Sequence, residues 1–174
     1  MVEEQVSGEK AVENVLIMAE RLAFLHYAFA KTLEDALPKE TAETLIRSAI
    51  EKYGQLAAES VMENLKQQGL KPTLKNFKYG KDLPSMGWKF VPMEMPADKP
   101  EGKISKITYC PMAESWKKLG PDGVRLGKKY CQIDQEKYKA YGKGYKCFHD
   151  RNTMDGDDCC VIRVELNGQE EREK

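Results

Sequence analysis

The sequence predicts an α+β fold in which a long N-terminal helix pair and further helices pack on one face of a small antiparallel sheet. Three observations carry this. Residues 1–69 hold two amphipathic helical patterns separated by a short turn. Residues 70–103 lose the helical period and fill with proline and glycine. The remainder alternates short strand and helix patterns and ends in two strands joined by turn residues, the order expected when helices segregate from an antiparallel sheet.

From about Glu9 to Ala36, the residues Val12, Val15, Ala19, Leu22, Phe29 and Leu33 recur at steps of three and four, and His26 fills the one gap. A histidine that replaces a hydrophobe in such a stripe is expected as a hydrogen-bonded core residue rather than a ligand. In the second helix Pro38 suits the first turn, Ile46, Ile50, Tyr53, Ala57, Val61 and Leu65 form the stripe, and Gly69 is the stop. Two long helices joined by so short a turn pack antiparallel, and a homodimer through the pair is compatible with the pattern. One strand is expected in the connector, at Trp88 to Val91.

The segment "KISKITYC" then reads as a strand leading into "CPMAESWKKLG". Cys110 immediately precedes Pro111, which places it at the N-cap of a short helix ending at Gly120. A single further helix is expected from about Asp122 to Tyr141. Leu126, Tyr130 and Ile133 form its apolar stripe, and Gly127, Cys131, Asp134 and Tyr138 share a second line. "GYKCFHDRNTMDGDDCCVIRVELNG" reads as a strand, a turn around Asp155 and Gly156, and a returning strand. The tail "QEEREK" is expected to fray. The division is one domain over residues 1–174: a helical pair (1–69), a connector (70–103), a Cys-containing α+β part (104–168) and the tail (169–174). A chain of this length buries roughly two-thirds of its unfolded surface, enough for one core.

Lys+Arg and Asp+Glu balance at 28 each, so no net field favours nucleic acid or an anionic membrane. The opening "MVEEQVSGEK" is charged where a secretory signal needs an apolar core, and no apolar run approaches membrane-spanning length, so a cytoplasmic protein is expected.

All five cysteines, Cys110, Cys131, Cys147, Cys159 and Cys160, lie beyond residue 109. Their number is odd and no CxxC pair occurs, which leaves metal binding, catalysis and simple buried thiols as alternatives. At a helix start, Cys110 would meet unpaired N–H groups that favour thiolate. Cys131 and Asp134, three apart, would face one way on a helix. Cys147 and His149, two apart, would share one side of a strand. In "MDGDDCCVIRVEL", strand alternation puts Cys160, Ile162, Val164 and Leu166 on the core side and Cys159 on the more polar side.

The succession "YCPMAESWKKLG", "KYCQID" and "NTMDGDDCCVIRV" resembles the L-2-amino-thiazoline-4-carboxylic acid hydrolase family. The matching positions are Cys110 with Pro111, Cys131 with Asp134, Thr153, Gly156 with Asp157, and Cys160. "LIRSAIEKYGQLAAE" is similar to the family's second helix. Ile162 stands where the family more often has an aromatic residue, Asn152 where it more often has a basic one, and Cys147, His149 and Cys159 lie outside the pattern.

The resemblance implies hydrolytic opening of a cyclic amidine such as 2-aminothiazoline-4-carboxylate. Asp134 would pair with the amidinium or act as base to water, Cys110 would attack the same carbon or hold a metal, and Cys131 would support them. Thr153, Asp157 and Cys160 would line the substrate side, with Arg163 or Arg125 holding the substrate carboxylate. A cofactor is either absent or a metal such as zinc, with Cys110, Cys131, Cys147, His149 and Cys160 as candidate ligands. The competing class is a vinyl-reductase-like module that binds a small molecule, a metal or a tetrapyrrole without turnover.

Overall fold

A computed structural model describes residues 7–84, 86–95 and 102–166. The expected helix pair is present as α1 (Gly8–Ala36) and α2 (Lys39–Gln67). Ser7 caps α1 by accepting the Lys10 N–H at 3.2 Å. At the end of α2, Gly69 takes φ +68°, and the N–H groups of Gly69 and Leu70 return to the carbonyls of Lys66 and Leu65. That left-handed step is cheap only for glycine and explains the stop.

The connector contains a 3-10 turn at Phe77–Tyr79 and strand β1 at Lys89–Pro92, one residue later than expected. Strand β2 (Lys103–Tyr109) leads through Cys110 into α3 (Pro111–Lys118), followed by α4 (Gly120–Tyr130) and α5 (Ile133–Tyr141). Strands β3 (Tyr145–Arg151) and β4 (Cys160–Leu166) flank a 3-10 turn at Thr153–Asp155. The sheet order is β1-β2-β4-β3, antiparallel at every pairing. The fold is therefore α+β, as predicted. The tail from residue 167 onward lies outside the described residues. Among those described, no helix is long and apolar enough to cross a membrane.

The single helix expected from Asp122 to Tyr141 is two. It breaks at Cys131 and Gln132, which close α4 and open α5. The physical reason is that the two halves bury against different neighbours. Leu126 packs with Ala30 and Ile46 of the helix pair, whereas Tyr138 and Tyr141 join Phe77, Cys147 and Val164 above the sheet. One straight helix could not serve both clusters.

Trp116 is the pivot of the first core cluster, 1 % exposed, with its Nε1–H donated to the Ala23 carbonyl at 2.9 Å. His26 is the hydrogen-bonded core histidine that was expected: its Nε2 lies 2.9 Å from the Leu126 carbonyl oxygen, and its ring meets Trp116 and Tyr130 edge-on. Burial pushes its pKa down, so it is held neutral. Gly127 of α4 lies flat on Trp116, and a Cβ there would sit 2.5 Å from the indole ring. Gly127→Ala is expected to cost about 1–3 kcal/mol by overpacking, despite the better helix propensity of alanine. Urea unfolding checks this; an unchanged or raised midpoint would contradict the packing.

Candidate functional site

The β3–β4 hairpin is fastened from within. Gly156 turns the chain at φ +95°, the Asn152 N–H donates to Asp157 Oδ2 at 2.7 Å, and Asn152 Oδ1 accepts the Met154 N–H at 2.9 Å. Asp157 thus clamps the turn. Thr153 then presents its N–H and hydroxyl to Cys160 Sγ, each at 3.4 Å, and the Cys160 thiol points toward Asn152 Oδ1 at 3.8 Å.

A directed chain of polar contacts runs from this hairpin to α5. Asn152 Nδ2 lies 3.2 Å from His149 Nδ1, and His149 Nε2 lies 3.1 Å from Asp134 Oδ2. Because Asn152 Oδ1 is committed to the Met154 N–H, its amide donates to His149, which fixes the His149 proton on Nε2 facing the carboxylate. The other oxygen of Asp134 accepts from Lys137 Nζ at 3.2 Å, and Lys137 also pairs with Asp82 of the connector at 2.7 Å. Lys137 is 4 % exposed, so its charge is buried between two carboxylates.

Burial alone would raise the Asp134 pKa. Lys137 and His149 outweigh it and hold the carboxyl at about 2. A depressed folded pKa stabilises the fold above the unfolded value and loses that contribution as pH falls through the folded one. Asp134 is therefore expected to supply about 2 kcal/mol that is present above pH ~4 and fades toward pH ~2. In wild type, stability should fall more steeply over that window than in Asp134→Asn, read by urea unfolding at stepped pH; parallel curves would contradict this.

Three of the five thiols converge here. Cys110 and Cys160 both lie close enough to act on Cys131, Cys160 also acts on Cys110, and Cys131 reaches Asn152 and feels Asp134. The surrounding wall is apolar: Met112, Ala113, Trp116 and Met154, with Trp88 and Ile133 packed beside them. Cys110 occupies the N-cap of α3 as the sequence indicated. Its pKa is nevertheless pushed up, not down. Desolvation dominates, although the amides of Ala113 and Met112 and the Trp88 side chain all work to favour thiolate. Burial and the neighbouring Asp134 hold Cys131 protonated as well.

Other candidates lie elsewhere. Cys147 does share a side of β3 with His149, but it is packed with Tyr138 and Val164, away from the three thiols. Cys159 is 1 % exposed rather than on a polar surface, near Asp158, Arg151 and Lys106. Arg163 pairs in register with Phe148, on the sheet face opposite Cys147 and Val164. Its Nε and Nη2 donate to Asp150 at 2.7 and 2.8 Å and its Nη1 donates to Glu165, so it is not available to a substrate carboxylate at this site. Arg125 joins Glu34 and Asp122 on the outer side of α1 and α4. Among the described residues no group of three or more His, Cys, Asp and Glu is arranged to hold a metal ion.

Lys137, Asn152, Asp82 and Trp88 belong to the site without having been singled out. Lys137 carried one signal, its place three residues after Asp134 on a helix. Asn152 carried another, as a departure from the family pattern. Asp82 and Trp88 sit in a connector whose path no periodicity reveals.

The structure is similar to the crystal structure of a trafficking protein particle complex subunit 3 from Naegleria fowleri covalently bound to palmitic acid. The TM-score is 0.54 at 16% sequence identity, over 86% of this chain and 95% of that one, a likeness of fold. No curated protein sequence matches the chain. The family described as L-2-amino-thiazoline-4-carboxylic acid hydrolase matches residues 17–164, a span that contains every member of the polar chain and all three converging thiols. By that match the chain belongs to the L-2-amino-thiazoline-4-carboxylic acid hydrolase family, which points to a hydrolase-type role.

Proposed function

We propose that the protein opens a cyclic amidine of the 2-aminothiazoline-4-carboxylate type, with Cys110 as nucleophile and Asp134 as the counter-charge of the amidinium. The observation that carries this is the convergence of three thiols beside a carboxylate kept ionised by Lys137 and His149. An amidine is a strong base and a poor electrophile until protonated. The raised pKa of Cys110 suits that requirement, because the thiol keeps its proton until the substrate arrives to take it.

Proton transfer from Cys110 to the ring nitrogen gives an amidinium facing Asp134 and a thiolate beside the Ala113 and Met112 amides and the Trp88 side chain. The sulfur adds to the carbon between ring sulfur and ring nitrogen. The ring C–N bond breaks, the nitrogen leaves as an amine, and the carbon stays bonded to Cys110 and to the former ring sulfur. Water then adds to that carbon, and the Cys110 thiol departs with a proton. The product is S-carbamoylcysteine, so one water is consumed overall. The Asn152–His149 chain positions Asp134, and Thr153 and Asn152 hold Cys160 as one wall.

Incubation of purified protein with 2-aminothiazoline-4-carboxylate, followed by mass spectrometry, tests this. S-carbamoylcysteine should form in step with ring loss, and an inert substrate at high enzyme concentration would sink the reading.

A second reading has one observation behind it: the fold neighbour holds palmitic acid covalently, and the thiols here are walled by Met112, Trp116 and Met154. On that reading the site keeps an acyl group rather than turning over. Intact-mass measurement separates the two, since a stable acyl adduct on untreated protein favours retention.

A further inference from the structure

We propose that α1 pairs with α1 of a second copy of this chain, antiparallel, through an apolar stripe that the described residues leave uncovered. Helix α1 buries Ala19, Ala23 and Ala30. A separate set of large apolar residues remains in solvent: Ile17 at 47%, Met18 at 64%, Leu22 at 37%, Phe24 at 39%, Leu25 at 54% and Phe29 at 67%. Six such side chains within four turns are not the scattered exposure that ordinary surfaces show.

The order of the residues says what covers them. Met18, Leu22, Leu25 and Phe29 follow at steps of four, three and four, a spacing that reads the same in both directions. A two-fold axis between Leu22 and Leu25 sets Met18 against the partner's Phe29 and Leu22 against the partner's Leu25. Met18 then supplies a flexible thioether to an aromatic edge. The row one residue behind, Ile17, Arg21, Phe24 and Ala28, flanks this seam and brings Arg21 to within about 3 Å, along the helix axis, of the level of the partner's Phe24. A two-fold contact requires this kind of self-complementarity, whereas a different partner does not.

Size and charge agree. The six side chains expose roughly 600 Å² per copy, so pairing removes more than the ~1,000 Å² that separates specific interfaces from incidental contacts. Arg21 is the one charged residue in the two rows, and Asn14 and Thr32 continue the stripe at its ends. A helix that lies on an anionic membrane would instead carry a basic rim.

The test uses the full chain. Sedimentation equilibrium should give a dimer, and Leu25→Glu with Phe29→Glu should give a monomer with unchanged circular dichroism, since both positions are exposed. Mixing Met18→Cys with Phe29→Cys chains under mild oxidation should yield a cross-linked pair, while Met18→Cys alone should not. A wild-type monomer at all concentrations, a dimer indifferent to the double substitution, or cross-linking of Met18→Cys to itself would each overturn the proposal. So would vesicle binding by a chain that stays monomeric.

Discussion

Cys110→Ala is expected to lower the rate of thiazoline opening by about 10³-fold or more, because the covalent step loses its sulfur while the rest of the site stays in place. Asp134→Asn should cost about 10²–10⁴-fold, since a neutral amide does not balance the charge of the amidinium. The two losses should not add in a double variant, because both residues act on one intermediate. Trapping with radiolabelled substrate supplies a second readout: wild type, quenched in acid, should retain label at Cys110, and Cys110→Ser should retain none. Wild-type turnover in Cys110→Ala would remove the nucleophile from this mechanism. Full activity in Cys110→Ala and Asp134→Asn alike would move the reaction away from this site altogether.

Lys137→Met is expected to destabilise the fold by about 3–5 kcal/mol, the largest effect on stability among the site residues. The change leaves Asp134 and Asp82 facing each other across a buried apolar side chain with no cation between them. The carboxyl of Asp134 should then titrate upward, since Lys137 is the leading group that holds it down against burial. Adding Asp82→Asn to Lys137→Met should recover part of the loss by removing one of the two stranded charges. Urea unfolding of the three variants checks this. A Lys137→Met protein as stable as wild type would mean that the ion pair is not what ties the connector to α5.

Elements whose cause is local were legible in the chain itself. The two long helices follow from periodicity and their terminal signals, and Gly69 adopts the left-handed conformation that a stop requires. Cys110 sits at an N-cap because Pro111 can only begin a helix. Gly156 makes the hairpin turn, and strand alternation put Cys160 on the core side. The resemblance to the family drew attention to Cys110, Cys131, Asp134, Thr153, Asp157 and Cys160, and the fold sets Cys110 and Cys160 near Cys131, Thr153 on Cys160, and Asp157 in the hairpin turn.

What spacing could not supply was the environment each of them meets. The N-cap argument favoured a thiolate at Cys110, yet desolvation, which depends on residues distant in the chain, reverses the direction. The break between α4 and α5 arises because two stretches of one helical pattern bury against different partners. His149 looked like a metal ligand until the β3 register set it against Asp134, and Arg163 looked available until the same register put it on the far face with Asp150. Local propensity is written in neighbouring residues and can be read from the chain. Desolvation, ion pairing and the facing of distant side chains exist only once the chain has closed on itself, and tertiary structure alone decided those.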